Sequence, residues 1–433
     1  MQMFLCPVPC SFRVFREGSG RPGLILRPSA GRLRRMSSQP FSSWIRLISA
    51  CLLGGLLLRA ADGPLTLSAV ALVPEQGLQF RSAGVTGMVF SLQTSSDLVS
   101  WGTLTFTNSD SGEASFLDPG ATDLIQRFYR VRQDPPPPIW LTHYHGWSNV
   151  IILNNGWVEA VVVPTINRVL QLRFVGEENG PFWENRAMDG RLPSATSWNT
   201  PGSFGGDKVW PAPQSLWNWP PPRAFDSMSV TASVVNGVVT LISPVDTTYG
   251  TRVVRRVELH PFEPSMRIVS RFEKFRGATN NLSVWGVTQC QSPERVFAPV
   301  PSPSEFAPGY ATLSGSRPPS LVLSNQTVSL TRSTSSSFKI GNDAGELLWV
   351  GTNQVLHLQS PRVPGVPKSG YPDGGCSAEV YTNPNPTPYV ELEVLSPLKR
   401  LGTNDTLEAT CLYTLYRRTE PTAWDEAWKF WAP

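Results

Sequence analysis

The chain reads as an all-β protein, a large antiparallel supersandwich preceded by a small β-sandwich. Three observations predict this. The 433 residues include 41 Pro and 35 Gly, and only 16% are charged, a composition that disfavours long solvent-facing helices. Apolar–polar alternation recurs over short runs such as "VFSLQTS", "RFYRVRQ" and "YVELEVLSPL". Asn-Gly, Asn-Asn-Gly and Asn-Gln pairs separate many of those runs, and they are hairpin-turn signals.

The N-terminal segment is distinct. The formal charge of +4 is misleading, because residues 1–61 hold nine Arg against the single acid Glu17. That leaves 28 basic and 32 acidic residues in 62–433, a net charge of −4. Such a body has no electrostatic footprint for nucleic acid. "LISACLLGGLLLRAADG" is an apolar run behind Arg46 that ends in the small residues Ala60 and Ala61, so residues 1–61 read as a signal peptide for a secreted or periplasmic protein. A start at Met36, just after Arg34 and Arg35, would supply the basic n-region, and on that reading residues 1–35 are an over-called start. The alternative of a lipoprotein anchored at Cys51 is weakened because the apolar run continues seven residues beyond that cysteine. No later run is long and apolar enough to predict a stable membrane span.

Residues 64–133 alternate in short runs between turn clusters "SSDLVS", "NSDSGEA" and "DPGATD", the spacing of a small sandwich. The stretch resembles fibronectin type III-like accessory modules, in which pieces such as Trp101 to Leu104 and Arg127 to Val131 pack the core. "DPPPPI" over 134–139 reads as a stiff linker, since consecutive prolines favour polyproline II geometry. From 140 to 433 the alternating runs continue as one large β domain, closed by "TAWDEAWKFWAP", whose Trp424, Trp428 and Trp431 fit a short helix.

Four pieces in order, "NGWVEAVVVPTINRVLQLRFVGEENGPFWEN", "GGDKVWPAPQ", "NNLSVWGVTQ" and "YVELEVLSPLKRL", resemble the galactose mutarotase-like superfamily. More narrowly they resemble a bacterial family catalogued as domain of unknown function 4380. The resemblance covers roughly residues 145–420. It implies a sugar pocket on one face of the sheet, with a histidine acid and a late-strand glutamate base. Ile166, Asn167 and Arg168 stand where the superfamily has a Gly-Gly-Arg-like stretch, so the arginine is kept and the glycines are not.

Glu391 and Glu393 are the candidate catalytic carboxylates, and their spacing of two puts both on one sheet face. Arg168, Asp207, Lys208 and Trp210 are the candidate substrate-binding residues. Charges set among Gly and Trp are costly to bury unless paired, and an indole can offer its face to a pyranose. "GGDKVWPAPQSLWNWPPP" is expected to be a long loop over the sheet, with Trp210 facing ligand and Trp217 and Trp219 packing. The strand expected to carry the acid holds Trp285 and Gln289 but no histidine. His143 and His145 form an H-x-H pair with no third ligand evident, His260 precedes a proline, and His357 sits in an alternating strand, so no metal or other cofactor is expected. Cys290, Cys376 and Cys411 are too few for a disulfide framework. A carbohydrate or other small polar ligand is therefore the expected partner. An epimerase-like enzyme, a non-catalytic glycan-binding module and a ligand-free extracellular structural protein all remain open. N-terminal sequencing of the mature protein tests the leader: it should begin close to Ala61, and an intact Met1 would overturn the assignment.

Overall fold

Period-two alternation and turn chemistry account for most of the elements. Asn236 and Gly237, at φ +49° and +79°, join Thr231–Val235 to Val238–Ile242. Two successive positive φ values are what a tight hairpin needs, and Asn and Gly tolerate them best. Asn325 and Gln326, at +47° and +55°, do the same between Val322–Ser324 and Thr327–Leu330. The computed structural model describes residues 11–16, 22–25, 65–73, 77–122, 126–192, 204–217 and 219–431. The apolar leader with Met36, Cys51, Ala60 and Ala61 lies outside them, as does Trp198.

The chain divides into two compact units, with the boundary after Asp134. The first has a three-stranded sheet ordered Thr66–Val73, Gly77–Ala83, Glu113–Asp118. Its second sheet is built around Gln126–Asp134, Met88–Ser95 and Gly102–Ser109, and Ser11–Arg16 and Pro22–Ile25 extend it. Phe80, Phe90, Leu92, Phe116 and Tyr129 fill its core. The Tyr129 hydroxyl and Arg127 both bind the buried Asp118 carboxylate, at 2.7 and 2.6 Å.

The second unit is built from two large antiparallel sheets. One runs in the order Ala311–Ser314, Phe338–Asn342, Ala378–Thr382, Tyr389–Leu395, Asn280–Gln291, Gly206–Ala212, Arg168–Phe174, Val158–Val163, Trp147–Asn154, Ile139–Tyr144. The other centres on Thr251–Leu259, Ser265–Lys274, Thr406–Arg417 and Gln354–Gln359. Val390, Leu392 and Val394 from the first sheet and Val257, Ile268, Leu356 and Leu415 from the second share one apolar core. The terminal helix is Ala423–Trp431. Thr422 caps it by accepting from the Asp425 N–H at 3.1 Å, and Ala423 and Ala427 bury it against Phe297, Leu348 and Val355.

Gly206–Ala212 departs from expectation. It is a wholly buried strand in the middle of the first sheet and not a loop laid over it. Its Asp207 turns into the sandwich. There the carboxylate pairs with Arg255 of the second sheet and accepts from Thr288 at 2.8 Å and from the Tyr413 hydroxyl at 2.6 Å. Removing one partner of a buried pair strands the other charge. Asp207→Ala should therefore lower unfolding free energy by about 3–5 kcal/mol, and Tyr413→Phe by about 1 kcal/mol. Urea titration checks both, and a loss below about 1 kcal/mol for Asp207→Ala would contradict the stapling role.

Candidate functional site

The site is built from the face of the first sheet that turns away from Asp207. A side chain at Gly205 would begin 2.0 Å from the Trp183 carbonyl oxygen, and one at Gly206 would begin 2.4 Å from that of Val169. Both glycines also have positive φ, +92° and +68°. Only glycine lets the strand enter here. Alternation then sends Asp207 inward and Lys208 and Trp210 to the other face. Across the sheet Gly206 faces Gln289, which faces Glu391, and Lys208 faces Val287, which faces Glu393. From that face the Lys208 ammonium comes within 3.5 Å of Glu391.

Arg168 enters from the next strand. The turn Pro164–Ile166 ends at Asn167, which is left-handed at φ +53°. Asn is among the few residues besides glycine that tolerate this geometry, so it can replace the glycine of the expected motif. Arg168 is fully buried, and its guanidinium binds both the backbone carbonyl and the carboxylate of Asp226, the latter at 2.9 Å. The Trp210 indole N–H donates to the same carboxylate at 2.9 Å. Asp226 ends a one-turn helix, Arg223–Asp226, that follows the proline run 220–222. Burial opposes its charge, but Arg168, Lys208 and Trp210 outweigh burial and hold the carboxyl below the usual range.

Glu391 and Glu393 share the face but not the surroundings. Glu393 Oε2 accepts from the Trp285 indole at 2.7 Å and from Lys339 at 2.8 Å, and Lys339 also binds Glu379 at 2.6 Å. Burial works against the Lys339 ammonium, yet Glu393 and Glu379 hold it above the usual lysine range. Glu379 is itself pushed well up, by burial first. Glu391 accepts from Gln289 at 2.9 Å and lies 3.5 Å from the Lys208 ammonium, both through Oε1. Burial raises its carboxyl above the ordinary glutamate value, and nearby Glu393 adds to the rise. Lys208 is pushed down, mainly by burial. Its ammonium also lies 4.1 Å from the centre of the Trp210 ring.

These groups line a cleft of about 720 Å³. Arg168, Lys208, Trp210, Glu391 and Glu393 all reach it. Asp207, grouped with them from sequence, does not, because alternation places it in the sandwich interior. Trp210 is mostly covered, edge-on to Trp285 at 5.4 Å and to Trp217 at 5.8 Å. Trp217 packs as expected, with its N–H on the Pro211 carbonyl at 2.7 Å. Trp219, expected to pack, is 60% exposed and lines the cleft. Tyr381, Asn383, Asn385, Thr387 and Tyr389 line it as well.

Sequence reasoning missed Asp226, Gln289, Lys339 and Trp219 as parts of the site. Gln289 was legible, since it lies four residues from Trp285 on one strand and so on the same face.

None of the four histidines lines the cleft. His143 is exposed, and His145 lies 3.8 Å from Glu184. The Nδ1 of His260 accepts from the Phe262 N–H, and His357 binds Glu346 at 2.5 Å. Among the described residues no group of three His, Cys, Asp or Glu side chains is placed to hold a metal. No described helix is long and apolar enough to cross a membrane.

No protein-family model and no curated protein matches the chain. Among solved structures it is similar to a galactose mutarotase-like protein from Lactobacillus casei, at 8% identity and a TM-score of 0.43 over 62% of this chain and 100% of that one. It is also similar to a galactose mutarotase-like protein from Clostridium acetobutylicum, at 9% identity and 0.42 over 65% and 99%. A galactose mutarotase related enzyme from Lactobacillus acidophilus aligns at 8% identity and 0.41 over 63% and 98%.

The depressed carboxyl of Asp226 makes its contribution to stability pH-dependent. That contribution is present above the unfolded aspartate value of about 3.9 and is lost as pH falls through the lower folded value. The stability gap between wild type and Asp226→Asn should be full at pH 6 and shrink below about pH 4. Urea midpoints at several pH values check this, and a gap independent of pH would refute it.

Proposed function

We propose that the cleft binds a neutral carbohydrate and that Glu391 serves there as the acid/base group of an aldose epimerase-like ring opening. The observation that carries the reading is the setting of Glu391. It is a buried carboxyl with Oε1 fixed by Gln289, on the wall of a cleft edged by indole and phenol rings. A carboxyl raised by burial is suited to moving protons near neutral pH. Four cations, Arg168, Arg191, Lys208 and Lys339, and four carboxylates, Asp226, Asp373, Glu391 and Glu393, line the cleft. That balance favours a neutral polyol over an anion. The exposed face of Trp219 suits the apolar side of a pyranose, and the amide and hydroxyl groups of Tyr381, Asn383, Asn385 and Thr387 in the lining suit its hydroxyls. The sequence resemblance to galactose mutarotase-like proteins supports the same reading.

A second reading, a glycan-binding module without chemistry, is favoured by one observation. No histidine stands among the described cleft residues to act as the acid of that family. On either reading the leader supports secretion, and the small first unit serves as a spacer of fibronectin type III-like character.

Exchange NMR on a panel of aldoses separates the two. The full chain should speed anomer interconversion, with a rate that rises with pH through a limb above the ordinary glutamate value of about 4.3. Glu391→Gln should lose about 10²–10⁴-fold, and Trp219→Ala should weaken binding by about tenfold or more. Binding that needs Trp219 with no acceleration would establish the second reading. Equal rates for wild type and Glu391→Gln would remove the first.

A further inference from the structure

An epimerase-like ring opening needs an acid beside the base, because the hydroxyl and the ring oxygen it acts on share one carbon. The cleft holds two lysines near carboxylates, and their surroundings differ. Lys339 binds Glu379 at 2.6 Å and Glu393 at 2.8 Å, so its donors are engaged in a structural pair. An ammonium carries three N–H donors. Among the described residues the one side-chain hydrogen-bond partner of the Lys208 ammonium is Glu391, at the long distance of 3.5 Å. The Trp210 ring flanks it at 4.1 Å without accepting a conventional hydrogen bond. Lys208 therefore has donors to spare, lines the cleft and stands beside the candidate base.

We propose that Lys208 is the proton donor to the ring oxygen, paired with Glu391 in place of the missing histidine; this rests on the epimerase-like reading. With Glu391 ionised and Lys208 protonated, Glu391 takes the proton of the anomeric hydroxyl while Lys208 gives one to the ring oxygen. The bond from the anomeric carbon to the ring oxygen breaks, its electron pair stays on that oxygen, and the former hydroxyl becomes the carbonyl. After rotation about the adjacent carbon–carbon bond, the chain hydroxyl attacks the other carbonyl face. It returns its proton to the Lys208 amine, and Glu391 reprotonates the carbonyl oxygen. Both groups end as they began, and nothing else is consumed. Burial pushes the Lys208 ammonium below the usual lysine range, which eases the donation. The charged groups that face it are Glu391, Asp226 and Arg168.

Anomer exchange measured on the full chain with Lys208→Gln and Lys208→Arg tests this. An arginine keeps the charge but cannot deprotonate in a protein. Both variants should lose about 10²–10⁴-fold in kcat, and added methylamine should restore part of the Lys208→Gln activity. Wild-type activity in Lys208→Arg would overturn the assignment, since charge alone would then suffice. If wild type and Lys208→Arg are active while Glu391→Gln is not, the lysine assignment falls and the epimerase-like reading stands. If wild type accelerates no aldose, both fall. Should the variants fail to fold by thermal melting, the wild-type profile decides. An upper limb in kcat below the ordinary lysine value of about 10.4 supports the proposal, and a rate that stays flat through that value overturns it.

Discussion

The buried cluster around Asp207 is the constraint on which the rest of the second unit depends. Asp207 and Thr288 come from one sheet, Arg255 and Tyr413 from the other, and all four meet inside an otherwise apolar sandwich. A pair of charges placed there gains nothing over well-packed apolar residues unless every polar atom is met. What it does supply is register. A slip of one residue in Gly206–Ala212 would bring Lys208 inward to face Arg255 and expose Asp207, so the cluster excludes that alternative strongly.

Fixing that register also fixes the cleft. The alternation that holds Asp207 inside aims Lys208 and Trp210 outward, beside Trp285, Gln289, Glu391 and Glu393 on neighbouring strands. The charged heart of the cleft, with Lys208, Glu391 and Glu393, is thus a property of strand faces, and loops and short helical turns supply about half of the remaining lining. Side chains on paired strands have little freedom to wander, which suits a site that must hold several charges close together.

Legibility in the sequence followed the strength of local signals. Strands with clean alternation, such as Tyr389–Leu395, and hairpins at Asn-Gly could be read directly, and so could the shared face of Glu391 and Glu393. Gly206–Ala212 was hidden because its glycines and Pro211 are strand breakers by every local rule. Those glycines are there for backbone clearance against Trp183 and Val169, a tertiary cause with no local trace. Asp226 was illegible for a similar reason: it sits in one helical turn after a proline run and gains its role from Arg168 and Trp210, which lie on other elements. Lys339 lies on the five-residue strand Phe338–Asn342, too short for periodicity to stand out.

Glu391 and Glu393 show why the face of a strand is not enough to assign chemistry. They differ by two positions and share every local property that sequence can express. Glu393 is met by an indole N–H and a lysine that is itself shared with Glu379, so its charge is spent holding three strands together. Glu391 meets one amide and a distant ammonium, both through the same carboxylate oxygen. The backbone requirement that hid the strand from sequence reading is the same one that lets Gly206–Ala212 enter the sheet with Lys208 on the cleft side.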